Sequence, residues 1–217
     1  GKKPFGLHFF HNHRYQKRNT NQSKFHWGHQ FAGLGILGLD GLVSRLFPVW
    51  VRLLDPEAVG ASALAAFESI VSVIPAGLII FDRGFNNRKY FKALLEQGHQ
   101  LLCRARKNAA FFYLPLPSEQ PKRGRKRIYG RRIHFQHWTY IQTKVPGFEH
   151  LLSVAHQIVR TRMCPQPVHL VVVRTRPKPS KPYRYFPVYT TDLTLSVETI
   201  VRYYKLRWGF ETNMRDT

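Results

Sequence analysis

Ala76-Gly77-Leu78-Ile79-Ile80-Phe81-Asp82 is the stretch that decides the fold. Its core is a short unbroken apolar run that begins just after Pro75 and finishes on a carboxylate. A run of that length without alternation is the signature of a strand covered on both faces, as in a parallel sheet flanked by helices. Such sheets place their ligands beyond the carboxyl ends of the strands, which is where Asp82 falls.

The neighbouring segments agree with this reading. Asn86 or Asn87 can cap a helix, RKYFKALLEQ, that stops at Gly98, and HQLLCRAR is the next strand. Upstream, GHQFAGLGILG and LVSRLFPVWVRLL surround Leu39-Asp40-Gly41 as a strand–turn–strand. Asp55-Pro56-Glu57 then opens a helix that should run to about Ser72 and end before Pro75. The order is hairpin, helix, strand, helix, strand, which defines an α/β sheet. Residues 1–26 are polar, basic and histidine-rich and read as a long loop.

Beyond the second apolar strand the texture changes. Residues 104–132 carry ten Lys/Arg against one acid, Glu119, and include Pro121-Lys122-Arg123-Gly124-Arg125-Lys126-Arg127. Short β-rich pieces follow (RRIHFQHWTYIQT, HLLSVAHQIVR, PVHLVVVRTR, YRYFPVYTT), separated by turns such as Val145-Pro146-Gly147. Residues 106–190 thus read as a mostly β, basic insertion. A final helix starts at Ser196, with Val197, Ile200, Val201, Tyr204 and Trp208 forming one apolar stripe.

Composition narrows the partner. In 217 residues there are 34 Lys+Arg and 12 Asp+Glu, a net charge of +22, with 43% hydrophobic residues. A folded domain that basic calls for a polyanion, and nucleic acid is the abundant one. Cys103 and Cys164 lie far apart and form no Cys-x-x-Cys pair, so neither a disulfide framework nor a cysteine zinc site is indicated, which suits a reducing cytoplasm. No apolar run approaches the roughly 18 residues needed to span a membrane. The histidines His8, His11, His13, His26 and His29 have spacings unlike a closed zinc motif, and DNA-facing loop positions account for them better.

Because acids are scarce, each can be assigned. Asp55, Glu57 and Glu198 belong to helix N-termini, Glu68 and Glu96 to solvated helix faces, Glu119 and Glu149 to loops. Asp40 lies in a turn, Asp192 in local turn chemistry, and Asp216 at the end of the sequence. Asp82 and Glu211 remain. Asp82 is open to a plainer role as a salt bridge to Arg83 or a cap for the Gly84–Asn87 turn. Glu211 lies four residues after Arg207 and seven after Tyr204, on one helical face. Arg207 could hold it ionised as a metal ligand, or the two could form an ordinary surface pair, and spacing does not separate these readings.

Tyr204-x-x-Arg207-x-x-x-Glu211 resembles the Tyr-Arg-Glu part of the Y-R-E-K pattern of DDE-type insertion-sequence transposases. Phe81-Asp82-Arg83-Gly84-Phe85 is similar to the segment around that group's second Asp, and Thr190-Thr191-Asp192-Leu193 to the approach to its Glu. The resemblance implies a ribonuclease H-like mixed sheet with flanking helices. Residues 1–105 and 191–217 would form its catalytic core, and 106–190 the β insertion that this group carries. It implies three carboxylates holding two divalent ions, usually Mg²⁺ with Mn²⁺ as a substitute, with Asp82 and Glu211 as metal ligands. Arg207 would orient Glu211, and Tyr204 would contact DNA near the scissile phosphate. The implied activity is cleavage at transposon ends and strand transfer into target DNA. A homodimer and a bacterial cytoplasmic, nucleoid-associated location go with it, and no membrane. Lys122, Arg123, Arg125, Lys126 and Arg127 are the expected phosphate-contacting strip, against a plain solvated loop. The pattern puts the first Asp upstream of Gly1 and the Lys just beyond Thr217, so little catalysis is expected of this stretch alone. The rival readings are a non-catalytic nucleic-acid binder and a ribonuclease H-like nuclease without strand transfer.

Overall fold

A computed structural model describes residues 8–11, 25–28, 31–40, 43–54, 59–106, 108–176 and 178–207. The chain divides into two compact units, Gly1–Gly38 with Leu46–Val73 and Leu39–Arg45 with Ile74–Thr217.

In the first unit, β1 (His8–His11) pairs antiparallel with β2 (Phe25–Gly28). The stretch 1–26, expected to be all loop, therefore contributes β1 and the first two residues of β2. His8-Phe9-Phe10-His11 shows no period-two alternation and is too short to stand out against its polar surroundings. The apolar runs around Leu39-Asp40-Gly41 form β3 (Phe31–Asp40) and β4 (Val43–Leu53), a two-stranded sheet as expected. The helix foreseen from Asp55 is α1 (Val59–Val71); its proposed cap, residues 55–57, lies outside the described residues. A small core of Ala32, Leu54, Ala63 and Ala66, with Trp50 against it, holds this unit together.

The second unit is built on the deciding stretch. Leu78-Ile79-Ile80-Phe81 is β5 (Leu78–Phe81), α2 spans Arg88–Glu96, and β6 (Gln100–Arg104) runs parallel to β5. The basic region then supplies β7 (Phe111–Phe112), β8 (Ile141–Thr143), β9 (Leu152–Thr161), β10 (Cys164–Thr175) and β11 (Arg184–Thr190), and α3 (Val197–Leu206) closes the described chain. The strands form one mixed seven-stranded sheet in the order β5-β6-β11-β10-β9-β7, with β8 also on β9. The α/β class and ribonuclease H-like arrangement hold. The β-rich pieces pair directly onto β6 through β11, with Val188 opposite Arg104 and Thr190 opposite Leu102.

The period of two sorts the core into two faces. Leu102, Val154, Val171 and Val188 face Ile200 and Val201 of α3, with Leu78, Ile80, Val197 and Tyr204 packed around them. The opposite face carries Leu101, Cys103, Leu170 and Tyr189. Here Phe91 of α2 meets Tyr189 edge-on at 6.1 Å, and Phe111 of β7 meets the same ring at 5.5 Å. The expected α3 stripe is the buried one as far as Tyr204; Trp208 lies outside the described residues. The Val145-Pro146-Gly147 turn also forms, with Gly147 at φ 85° and the Phe148 N–H donating to the Val145 carbonyl (3.1 Å).

Among the described residues, no helix is long and apolar enough to cross a membrane.

Candidate active site

Asp82 follows β5 directly. Its backbone is extended (φ −70°, ψ 158°), and its Oδ1 accepts a hydrogen bond from the Arg83 N–H at 2.6 Å, capping the tight turn Arg83–Phe85. The turn cap weighed from the sequence is therefore real. The ion pair to Arg83 is replaced by a longer-range one. An Nη of Arg207, at the C-terminus of α3, lies 3.7 Å from Asp82 Oδ1. The Arg207 side chain is 11% exposed and that of Asp82 53%, so a sheltered guanidinium faces a carboxylate open to solvent. The other oxygen, Oδ2, has no hydrogen-bond partner among the described residues.

Tyr204 stands one turn before Arg207. The guanidinium carbon lies 5.6 Å from its ring centre. Burial raises the Tyr204 phenol above its ordinary value, while the charge of Arg207 and a hydrogen bond with it pull it partly back. The phenol stays protonated at neutral pH and is a hydrogen-bond donor beside the carboxylate.

The floor of the site comes from the two cap candidates, Asn86 and Asn87, and from Cys103 and Arg106, to which the sequence assigned no role in the site. Asn87, not Asn86, accepts from the Lys89 N–H and caps α2 (3.1 Å). Asn86 is buried instead. Its amide donates to the Arg104 carbonyl (3.0 Å), and its Oδ1 accepts from the Tyr189 hydroxyl (3.0 Å). It thereby ties the turn after Asp82 to β6 and β11. Cys103 lies under the turn with its Sγ 3.9 Å from the Asp82 carbonyl; burial, then the Asp82 charge, pushes its thiol up, so it is an inert packing group. An Nη of Arg106 donates to the Gly84 carbonyl at 3.3 Å. The adjacent asparagines were the signal available in the sequence, but only one of two neighbouring amides can cap.

Glu211 lies outside the described residues, so the structure assembles Asp82, Arg207 and Tyr204 and says nothing of the fourth candidate. Among the described residues, Arg207 reaches the carboxylate of Asp82. No group of three or more His, Cys, Asp or Glu that could hold a metal occurs among the described residues.

The basic strip lies elsewhere. Residues 122–129 are all exposed. At its base the Gly130 N–H donates to the Tyr113 carbonyl (2.9 Å), and a Cβ at Gly130 would stand 2.9 Å from that oxygen, so only glycine fits. Gln120 closes the loop: the Arg127 N–H donates to its Oε1 (2.9 Å), and its Nε2 donates to the Arg127 carbonyl (3.1 Å).

A parallel strand ending in an accessible carboxylate, backed by a sheltered arginine from a later helix, sits in a strongly basic α/β domain with a net charge of +22. The family model of the transposase DDE domain matches residues 58–217, and the chain belongs to that family. Membership makes DNA the partner and a transposase the general function. No curated protein matches the chain.

Proposed function

We propose that this chain is the catalytic core of a DDE transposase that hydrolyses phosphodiester bonds at transposon ends and joins the freed 3′-hydroxyl to target DNA. The observation that carries the proposal is the meeting of Asp82, at the carboxyl end of β5, with Arg207 from α3. Asp82 and Glu211 are two of the three carboxylates that would hold two Mg²⁺ ions, or Mn²⁺ in their place. Asp82 suits that role: it offers a hard carboxylate oxygen, half exposed and facing outward. Divalent ions at such a site supply Lewis acidity to the attacking and leaving oxygens of an in-line displacement.

The chain's own groups do the rest. The Arg83 N–H and the Arg207 guanidinium fix Oδ1 of Asp82 in place. The Tyr204 phenol, kept neutral by burial, donates to a phosphate oxygen drawn to the site. Lys122, Arg123, Arg125, Lys126 and Arg127 neutralise backbone phosphates away from the reacting bond. The working form is a homodimer on paired ends, at the nucleoid of a bacterial cytoplasm.

The test uses the intact transposase with end-bearing DNA. Asp82→Asn is expected to abolish cleavage at every Mg²⁺ or Mn²⁺ concentration while end binding persists. Cleavage at the unsubstituted rate would sink the proposal. Binding with no metal-dependent cleavage by the unsubstituted protein would identify a binding-only module, and cleavage without joining would identify a nuclease.

A further inference from the structure

Between His150 and Thr191 the chain contains seven Lys/Arg and no Asp or Glu. Most of that charge collects at one place. The β10–β11 connection carries Arg174, Arg176, Lys178, Lys181 and Arg184, and residues 178–184 are all exposed.

The connection is built, not merely charged. The Arg174 guanidinium is held between two tyrosines, 4.2 Å from the Tyr140 ring centre and 4.4 Å from that of Tyr183. Arg176 covers Tyr183 at 5.2 Å, extending the stack to tyrosine, arginine, tyrosine, arginine. The Nε of Arg176 donates to the Lys181 carbonyl (3.0 Å), and the Lys181 N–H donates to the Lys178 carbonyl (2.9 Å). Stacking fixes the plane of a guanidinium while leaving its edge N–H groups to donate. No carboxylate pairs with Arg174 or Arg176 among the described residues, and the Nε of Arg174 is buried without a hydrogen-bond partner. Among the described residues these five cations form no salt bridge with a carboxylate, and a cluster of that kind calls for a counter-charge from outside.

Topology puts this ridge at the Asp82 end of the sheet. Phe81 is level with Cys103, Arg104 with Val188, and Val188 with Val171. From Val171 the β10–β11 ladder continues four more rungs, to Thr175 opposite Arg184. With strands roughly 4.8 Å apart and about 3.3 Å per residue, the ridge lies about 14 Å across and about 13 Å beyond the level of Asp82. That is roughly 20 Å, less than the ~34 Å of one turn of duplex.

We infer that the β10–β11 ridge is a docking surface for the phosphate backbone of duplex DNA flanking the scissile bond, with Arg176, Lys178 and Lys181 as its contacts and Tyr183 as the support of Arg176. The inference rests on the proposed function for the scissile bond's position at Asp82, and on the ridge alone for DNA contact. It adds a second contact surface, separate from Lys122–Arg127.

The test is equilibrium binding of a short duplex to the full chain in metal-free buffer across a salt series. Arg176→Gln/Lys178→Gln/Lys181→Gln is expected to flatten the slope of log affinity against log salt by about 0.9 per lost contact, hence by roughly 2 to 3. Arg162→Gln, at the far end of β9, should leave the slope unchanged. Tyr183→Ala, which removes no charge, should weaken binding several-fold, and Tyr183→Phe should restore it. An unchanged slope in the triple variant, with an unaltered circular dichroism spectrum, would overturn the inference. So would an equal effect per charge from Arg162→Gln, which would reduce the ridge to net charge. These readouts involve no cleavage, so they fail or succeed separately from the Asp82→Asn experiment.

Discussion

The Asp82 strand end and the Lys122–Arg127 loop are both candidate contacts with DNA, yet they are held in opposite ways. Asp82 inherits its position from the core. β5 lies against β6, its Phe81 packs on Phe91 at 6.1 Å, and Asn86 ties the following turn to two other strands. The basic loop leaves the opposite edge of the sheet, beyond β7, and its neck is closed by one side chain, Gln120. A reacting group must be held to fractions of an ångström, whereas phosphate neutralisation tolerates movement. The two constructions match those two demands.

The sharpest way to break this contrast is Asp82→Asn in the intact transposase. Loss of a preorganised charged group at a reaction centre should lower cleavage by at least about 10²–10³-fold. End binding should change little, because one exposed carboxylate among so many cations contributes nothing to attraction. A proportionate loss of binding would show that the strand end is a docking element like the loop.

Next in size is Asn86→Ala. The Arg104 carbonyl and the Tyr189 hydroxyl would both lose buried partners, at about 1–3 kcal/mol for such a group. Urea unfolding should show that loss, and cleavage should fall further than stability alone explains, since the turn under Asp82 is released. Stability lost without any excess fall in cleavage would mean that the core, and not this tie, positions the carboxylate.

How much of the two regions could be read in advance follows from the same contrast. Leu78–Phe81 announced its strand because burial on both faces leaves an unbroken apolar run, and Ser196, Asn87 and Gly98 marked helix ends because capping is local chemistry. Asp82 stood out, with Glu211, because the ten other acids had plainer duties. The contact of Arg207 with Asp82 was not legible. An i,i+4 neighbour is visible in a sequence, whereas Asp82, 125 residues away, becomes a neighbour only through the packing of α3 on the sheet. The Gln120 clip and the stack on Arg174 escaped for a related reason. Each depends on which single side chain a loop happens to fold over, and no periodicity records that.

The loop itself supplies the third test. Replacing Lys122, Arg123, Arg125, Lys126 and Arg127 with glutamine should flatten the salt slope of DNA binding by up to about 4.5. Cleavage at saturating DNA and low salt should stay near its original rate. Gln120→Ala, which opens the neck and removes no charge, should leave the slope intact and reduce affinity only a few-fold. If the opened loop lost as much as the neutralised one, its shape would matter as much as its charge.

The smallest expected effect separates the regions by pH. His169 on β10 is buried, with its Nε2 3.1 Å from Nδ1 of His156 on β9. Burial first, and then His156, lowers its basicity below the ordinary imidazole value of 6.5, while the Leu195 backbone pulls the other way. The unfolded chain therefore binds this proton at a higher pH than the folded one. The stability that neutral His169 confers is complete above about pH 6.5 and is lost as pH falls through the lower folded value. Its strand partner is Thr190, whose hydroxyl accepts from the Asp192 N–H on the approach to α3 and hence to Arg207. Acid should thus loosen the α3 side of the Asp82 site while leaving the Gln120 clip untouched, because no titrating group lies in that clip. Hydrogen exchange between pH 7.5 and 5.5, corrected for intrinsic rates, should show protection falling in residues 190–206 and constant at Arg127. His169→Gln should remove the pH dependence. Equal loss of protection at both places would mean that acid acts on the whole sheet, and the separation of the two regions would then be one of position only.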